Sequence, residues 1–185
     1  MKTIIINSCM PSYELVIQGA AFSLPHESER SLSCLFDGCF GNTGNAVIGY
    51  SIQAILRECG YDIQANVATL ADLSSRWNSV EPLLKEVSIV FLCLQDILRY
   101  DALDIWSHED LEVIDRLCQA ASGRLCILSM GSNDIRAPGT SDRSLLEESV
   151  PKEIMQILGA LADNSLAIQV RTVALKAAIK AIYPD

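Results

Sequence analysis

Val87-Ser88-Ile89-Val90-Phe91-Leu92-Cys93-Leu94 is apolar at every position but one. A run of this length reads as a β-strand. A strand with no polar alternation belongs in a parallel sheet that is covered on both faces. On its N-terminal side, Ser79–Glu86 reads as a short helix and Tyr61–Val67 as an alternating strand nearer a sheet edge. Residues 44–59, GNAVIGYSIQAILREC, carry helical spacing: Ile48, Ile52, Ile55 and Cys59 fall on one face, widened by Val47 and Leu56. Asn42 or Thr43 is placed to cap that helix, and Gly60 to end it. Lys2–Ile6 is β-branched and apolar, a buried strand. Tyr13–Ala21 is too short a pattern to settle as a further strand.

Toward the C-terminus the same alternation continues. Ser107 and Asp110 have capping-box spacing before a helix to about Ala121, with Leu111, Ile114, Leu117, Cys118 and Ala121 inward. Arg124–Met130 is a strand. Pro151 suits the first turn of a helix to about Ala162, with Ile154, Ile157, Leu158 and Leu161 inward. Ser165–Val170 is a strand, and Thr172–Ile182 a last helix stopped by Pro184. Strand–helix alternation with right-handed crossovers predicts an α/β fold: a doubly wound, mainly parallel, Rossmann-like sheet, in one domain over 1–185. Two long connections, Asn7–Asn42 and Gly131–Ser149, break the rhythm.

Composition narrows the function. Lys and Arg total 14 against 23 Asp and Glu, a formal charge of −9. An acidic chain without a basic cluster is a poor partner for nucleic acid or an anionic membrane. No apolar run reaches the roughly 18 to 20 residues that span a bilayer. MKTIIINSCM lacks the apolar core and cleavage site of a signal peptide, so the expected location is the cytoplasm. Of the seven cysteines, Cys93 and Cys126 lie in apolar strands, and Cys59 and Cys118 on apolar helix faces. These four read as buried thiols. Cys34 and Cys39 lie in a polar, loop-like stretch, and Cys9 at the end of the first strand. His26 and His108 are far apart without ligand-spaced partners, so no metal site is expected. No cofactor is called for.

In an open parallel sheet, ligands bind beyond the carboxyl ends of the strands. Those ends carry Asn7, Ser8 and Cys9; Gln95 and Asp96; Gly131, Ser132, Asn133 and Asp134; and Arg171. The turn Gly41-Asn42-Thr43-Gly44-Asn45 joins them because it opens the first helix. Glycine permits close backbone approach, and a helix start offers unpaired N–H groups to a phosphate, carboxylate or hydroxyl. The alternative is that these residues only cap the helix. Arg171 either clamps an anion through its guanidinium or pairs with a carboxylate across the sheet end. Ser129-Met130-Gly131-Ser132 has half of a nucleophile elbow. Ile127 stands where the first glycine belongs, so a hydrolase using Ser129, or Cys39, is a weaker reading. Asp96, Asp134 and His26 are candidate acid–base groups, or ordinary loop residues.

Cys39–Leu56, CFGNTGNAVIGYSIQAIL, resembles the N-terminal motif of the polysaccharide pyruvyl transferase family, where an Asn-rich turn opens a helix after the first strand. Leu125–Ser132, LCILSMGS, is similar to that family's strand running into a glycine-containing loop. Leu166–Ala181, with Val170-Arg171-Thr172, looks like its strand ending in an arginine before a short helix. The ordered set spans most of the chain. It implies one half of a GT-B arrangement of two facing Rossmann-like domains, and transfer of pyruvyl from phosphoenolpyruvate to a sugar hydroxyl as a ketal. By the same resemblance, Gly41–Asn45, Gly131, Ser132, Asn133 and Arg171 form the acceptor side. The loop at 8–38 is longer than the family's first turn. The resemblance stops at Asp185, about where the family's second domain begins, and no donor-binding residue is carried over. The expectation is a chain that needs a second domain or companion chain for full catalysis. An apolar face left open by that missing half would favour self-association. The rival reading is a non-catalytic Rossmann-like module that binds a small anionic or sugar ligand.

Overall fold

The computed structural model describes residues 1–8, 16–17, 43–67, 69–95, 97–98, 102–131, 150–171 and 173–184. The chain divides into two compact units, Met1–Cys93 and Leu94–Asp185. Both are α/β with parallel strand pairs, the Rossmann-like class that the alternation predicts.

In the first unit, β1 (Lys2–Asn7) lies between β3 (Asp62–Val67) and β4 (Ile89–Cys93), parallel to both. A two-residue strand, β2 (Val16–Ile17), pairs antiparallel with β3, so Tyr13–Ala21 does hold a short strand. The chain leaves β1 through α1 (Thr43–Glu58) to reach β3 on one side. It then passes through α2 (Leu70–Ser75) and α3 (Trp77–Glu86) to β4 on the other side. Strand order therefore reverses about β1. Right-handed crossovers in opposite directions put helices on opposite faces, which is the doubly wound pattern.

The core of this unit follows from the apolar runs. Ile4, Ile5, Ile6, Val90 and Leu92 are fully buried. Tyr61 meets Phe91 edge to face, with ring centroids 5.4 Å apart. A helix at Leu70–Ser75 was not expected from sequence; Thr69 caps it by accepting the Asp72 N–H at 3.0 Å. The end of α1 matches expectation. Gly60 has φ +80°, its N–H donates to Arg57 O, and the Tyr61 N–H reaches back to Leu56 O, a Schellman closure.

The face that α1 buries does not match. Gly49, Gln53 and Leu56 are buried, Ile48 and Ile52 are half-buried, and Ile55 and Cys59 are exposed. The apolar arc of this helix is wide enough to be placed in more than one way. Docking turned it so that a glycine and a glutamine face inward, and the Cys59 thiol lies outside the core.

In the second unit, β5 (Leu125–Met130) pairs parallel with β6 (Ser165–Val170). A short helix, α4 (Ala102–Ile105), precedes α5 (His108–Ala120), and α6 (Lys152–Asn164) and α7 (Val173–Ile182) flank β6 in sequence. The Ser107–Asp110 capping box forms as its spacing predicts, with Ser107 Oγ accepting from the Asp110 N–H and Asp110 Oδ2 accepting from the Ser107 N–H. Leu111, Ile114, Leu117, Cys118 and Ala121 are buried, as are Ile154, Leu158 and Leu161; Ile157 is half-buried. Helices α5 and α6 pack together. No helix among the described residues is long and apolar enough to cross a membrane.

The rotation of α1 is directly testable. Ile5→Ala removes a side chain with no exposure and is expected to cost about 2–5 kcal/mol. Ile55→Ala, at a position 56% exposed, should cost under about 0.5 kcal/mol in the same urea titrations. A comparable loss from Ile55→Ala would return that residue to the core.

Candidate functional site

Each unit has its own polar rim at the carboxyl ends of its strands. In the first unit β1 ends in Asn7, which has no exposure and therefore must bond within the protein. Its Nδ2 donates to Asn66 Oδ1 and to the Val67 carbonyl, both at 2.9 Å. The Ser8 N–H donates to the Cys93 carbonyl at 3.1 Å, so the rim joins β3, β1 and β4. Asn7 Oδ1, Asn66 Nδ2 and Gln53 Nε2 are buried without hydrogen-bond partners among the described residues. Sequence reasoning placed Asn7 and Ser8 at this rim and missed Asn66. Its signal was available: it is polar, near the end of a strand whose neighbours Ala65 and Val67 are buried.

Thr43, Gly44 and Asn45 form the first turn of α1, as the glycine–asparagine pattern requires. Gly41 and Asn42 lie outside the described residues, as do Cys9, His26, Cys34, Cys39, Asp96, Ser132, Asn133 and Asp134.

In the second unit Gly131 and Arg171 come together. The Arg171 N–H donates to the Met130 carbonyl at 3.0 Å, which fixes the end of β6 beside the end of β5. The Leu98 N–H donates to the Gly131 carbonyl at 3.3 Å. The Arg171 guanidinium occupies the space that a Cβ on residue 131 would need, contacting it through Nη2, Nε and Cζ. Any side chain at 131 would push the guanidinium out of this position. Partial desolvation lowers the Arg171 pKa from its ordinary value. A planar group with five donors, set over a glycine at the end of two parallel strands, suits a carboxylate or phosphate oxygen.

A bulge lies just behind. The β5–β6 register shifts between Ile127 and Met130, and Ser129 has φ +58°. That left-handed conformation is costly for a residue with a Cβ. The Ser129 N–H, turned out of the ladder, donates to Gln169 Oε1 at 2.6 Å. Gln169 is a second residue that the sequence did not single out; a polar side chain inside an apolar strand was its only mark. The bulge also bears on the hydrolase reading. A nucleophile elbow places its serine at a strand-to-helix turn, but Ser129 is buried and Met130 continues the strand.

The described thiols are poor nucleophiles or ordinary surface groups. Burial pushes Cys93 up to about 12. Cys118 is also pushed up to about 12, by burial first and then by the Asp115 charge. Cys126 is half-buried and raised by desolvation, and Cys59 is exposed. His108 lies on the surface, 3.2 Å from Glu112. Among the described residues no group of three or more His, Cys, Asp or Glu is placed to hold a metal. No family model, curated protein or solved structure matches the chain.

The buried thiols generate a pH prediction. Unfolded thiols ionise near 9, while folded Cys93 and Cys118 keep their protons until about 12. The unfolded state therefore binds fewer protons across that window, and stability falls as pH rises from 9 toward 12. Below 9 these groups contribute no slope. Urea midpoints between pH 8 and 11 should decline, and Cys93→Ala should make the decline shallower; an equal slope in both proteins would remove Cys93 as a cause.

Proposed function

We propose that this chain is a polysaccharide pyruvyl transferase-like protein. In this reading it supplies the N-terminal, acceptor-side half of a GT-B arrangement, and a second domain or companion chain completes the site. The reaction moves pyruvyl from phosphoenolpyruvate to a sugar in polysaccharide biosynthesis. A proton goes to the methylene carbon and a sugar hydroxyl oxygen adds to the adjacent carbon. A second hydroxyl then displaces phosphate, leaving a cyclic ketal.

The observation that carries the reading is the guanidinium of Arg171 held over Gly131. Both belong to segments that resemble the family, and the contact gives a physical reason for the pairing. On this acceptor-side rim the guanidinium suits a carboxylate or phosphate carried by the sugar acceptor, held through two parallel N–H bonds. The missing side chain at 131 leaves room for that group to lie flat. A further support is position: Thr43–Asn45 open the helix after β1, and the LCILSMGS and VRT segments lie at the ends of β5 and β6.

The test is phosphate release from phosphoenolpyruvate in the presence of candidate sugars, with and without adjacent gene products, together with calorimetric binding of an anionic sugar such as a uronic acid or sugar phosphate. Arg171→Ala is expected to weaken binding of that anionic sugar by about tenfold to a hundredfold, the worth of a charged bidentate contact. Arg171→Lys should not restore it, because a lysine lacks the fork. A lost affinity with an unchanged melting temperature places the effect at the rim; an equal loss of folding makes Arg171 structural. Binding without phosphate release in any mixture would favour a non-catalytic module. Affinity unchanged by Arg171→Ala would sink the assignment of this rim.

A further inference from the structure

We propose that β6 is a pairing edge for a second copy of this chain, joined antiparallel about Ile168 to make a closed two-fold dimer. The inference is independent of the transferase reading. Among the described residues β6 pairs only with β5, and none of them ladders onto the other side of its backbone. Such an edge is a template for another strand, and proteins that keep it unpaired usually protect it with charge, proline or brevity. Edge strand β2 is protected by brevity, with two residues. β6 has six residues, Ser165-Leu-Ala-Ile-Gln-Val170, and neither a charge nor a proline. Its one large polar side chain, Gln169, is neutral and exposed, with Oε1 accepting from the Ser129 N–H of β5. Leu166 is 59% exposed, Ala167 is exposed, and Val173 just beyond is 84% exposed.

The sequence of the edge selects the partner. When the same edge of two copies meets across a two-fold axis, the strands run antiparallel. Centred on Ile168, the register sets Ile168 against Ile168, Leu166 against Val170, and Ala167 against Gln169. Leu166, Ile168 and Val170 share one face of the strand, so the two copies form one continuous apolar stripe. The pairing is isologous and closes at two chains, with no free β6 edge left to extend a fibre. No like charges oppose each other within the six residues. The net charge of −9 on each chain opposes association at long range. Salt should therefore strengthen the dimer by screening.

The test is light scattering on the full chain across about 10 to 500 µM, at low and high salt. The expected mass rises toward twice 20.2 kDa with concentration, and at lower concentration in high salt. Leu166→Lys and Ala167→Lys alter exposed side chains, so circular dichroism should be unchanged while dimerisation weakens at least about tenfold. A mass that stays at that of one chain at the highest concentration overturns the proposal. So does a dimer that neither lysine variant weakens, since its interface would then lie elsewhere.

Discussion

The burial of β1 is the constraint on which the first unit rests. From Thr3 to Ser8 no residue has more than 2% exposure, and β1 has a parallel strand on each side. A strand in that position has its backbone saturated by its neighbours and both faces covered. Parallel neighbours cannot be reached by a tight turn, so each connection has to include a helix. The apolar run at Ile4–Ile6 thus sets the need for covering layers, and α1, α2 and α3 occur in the connections that such layers require.

Polar chemistry then collects where the apolar run stops. Asn7 is as buried as Ile6, and its amide can be accommodated only because Asn66 and Val67 on β3 accept from it. The second unit solves a similar problem with one backbone bond and one side-chain acceptor. There the end of β6 is fastened to β5 through the Arg171 N–H, and the bulge at Ser129 is stabilised by Gln169. The same strand that supplies these two tethers exposes Leu166 and Ala167. One short segment therefore serves the rim through its C-terminal end and leaves its outer edge for another strand.

Gly131 shows how a local rule acquires a tertiary meaning. As a residue in a turn it would be interchangeable with other small residues. Beneath a guanidinium a larger residue would displace the charged group from the strand end.

The α/β class, the order of elements and most boundaries were legible in the chain, because a buried parallel strand cannot disguise its nearly continuous run of apolar residues. Helix ends were legible for the same kind of local reason: Gly60 has the one backbone geometry that closes α1, and Ser107 reaches the Asp110 N–H across a single turn. The positions of Asn7, Gly131 and Arg171 at strand ends followed from counting. What sequence could not settle was everything that depends on how an element is rotated or who lies beside it. Periodicity allowed α1 to bury Ile55 and Cys59, but docking chose Gly49, Gln53 and Leu56, since a helix with a wide apolar arc has several nearly equivalent faces. Asn66 and Gln169 became part of the rims only when β3 came beside β1 and β6 beside β5. Hydrogen bonds between residues 59 and 40 positions apart have no signature in a single strand, because strand pairing is decided by the packing of the whole layer.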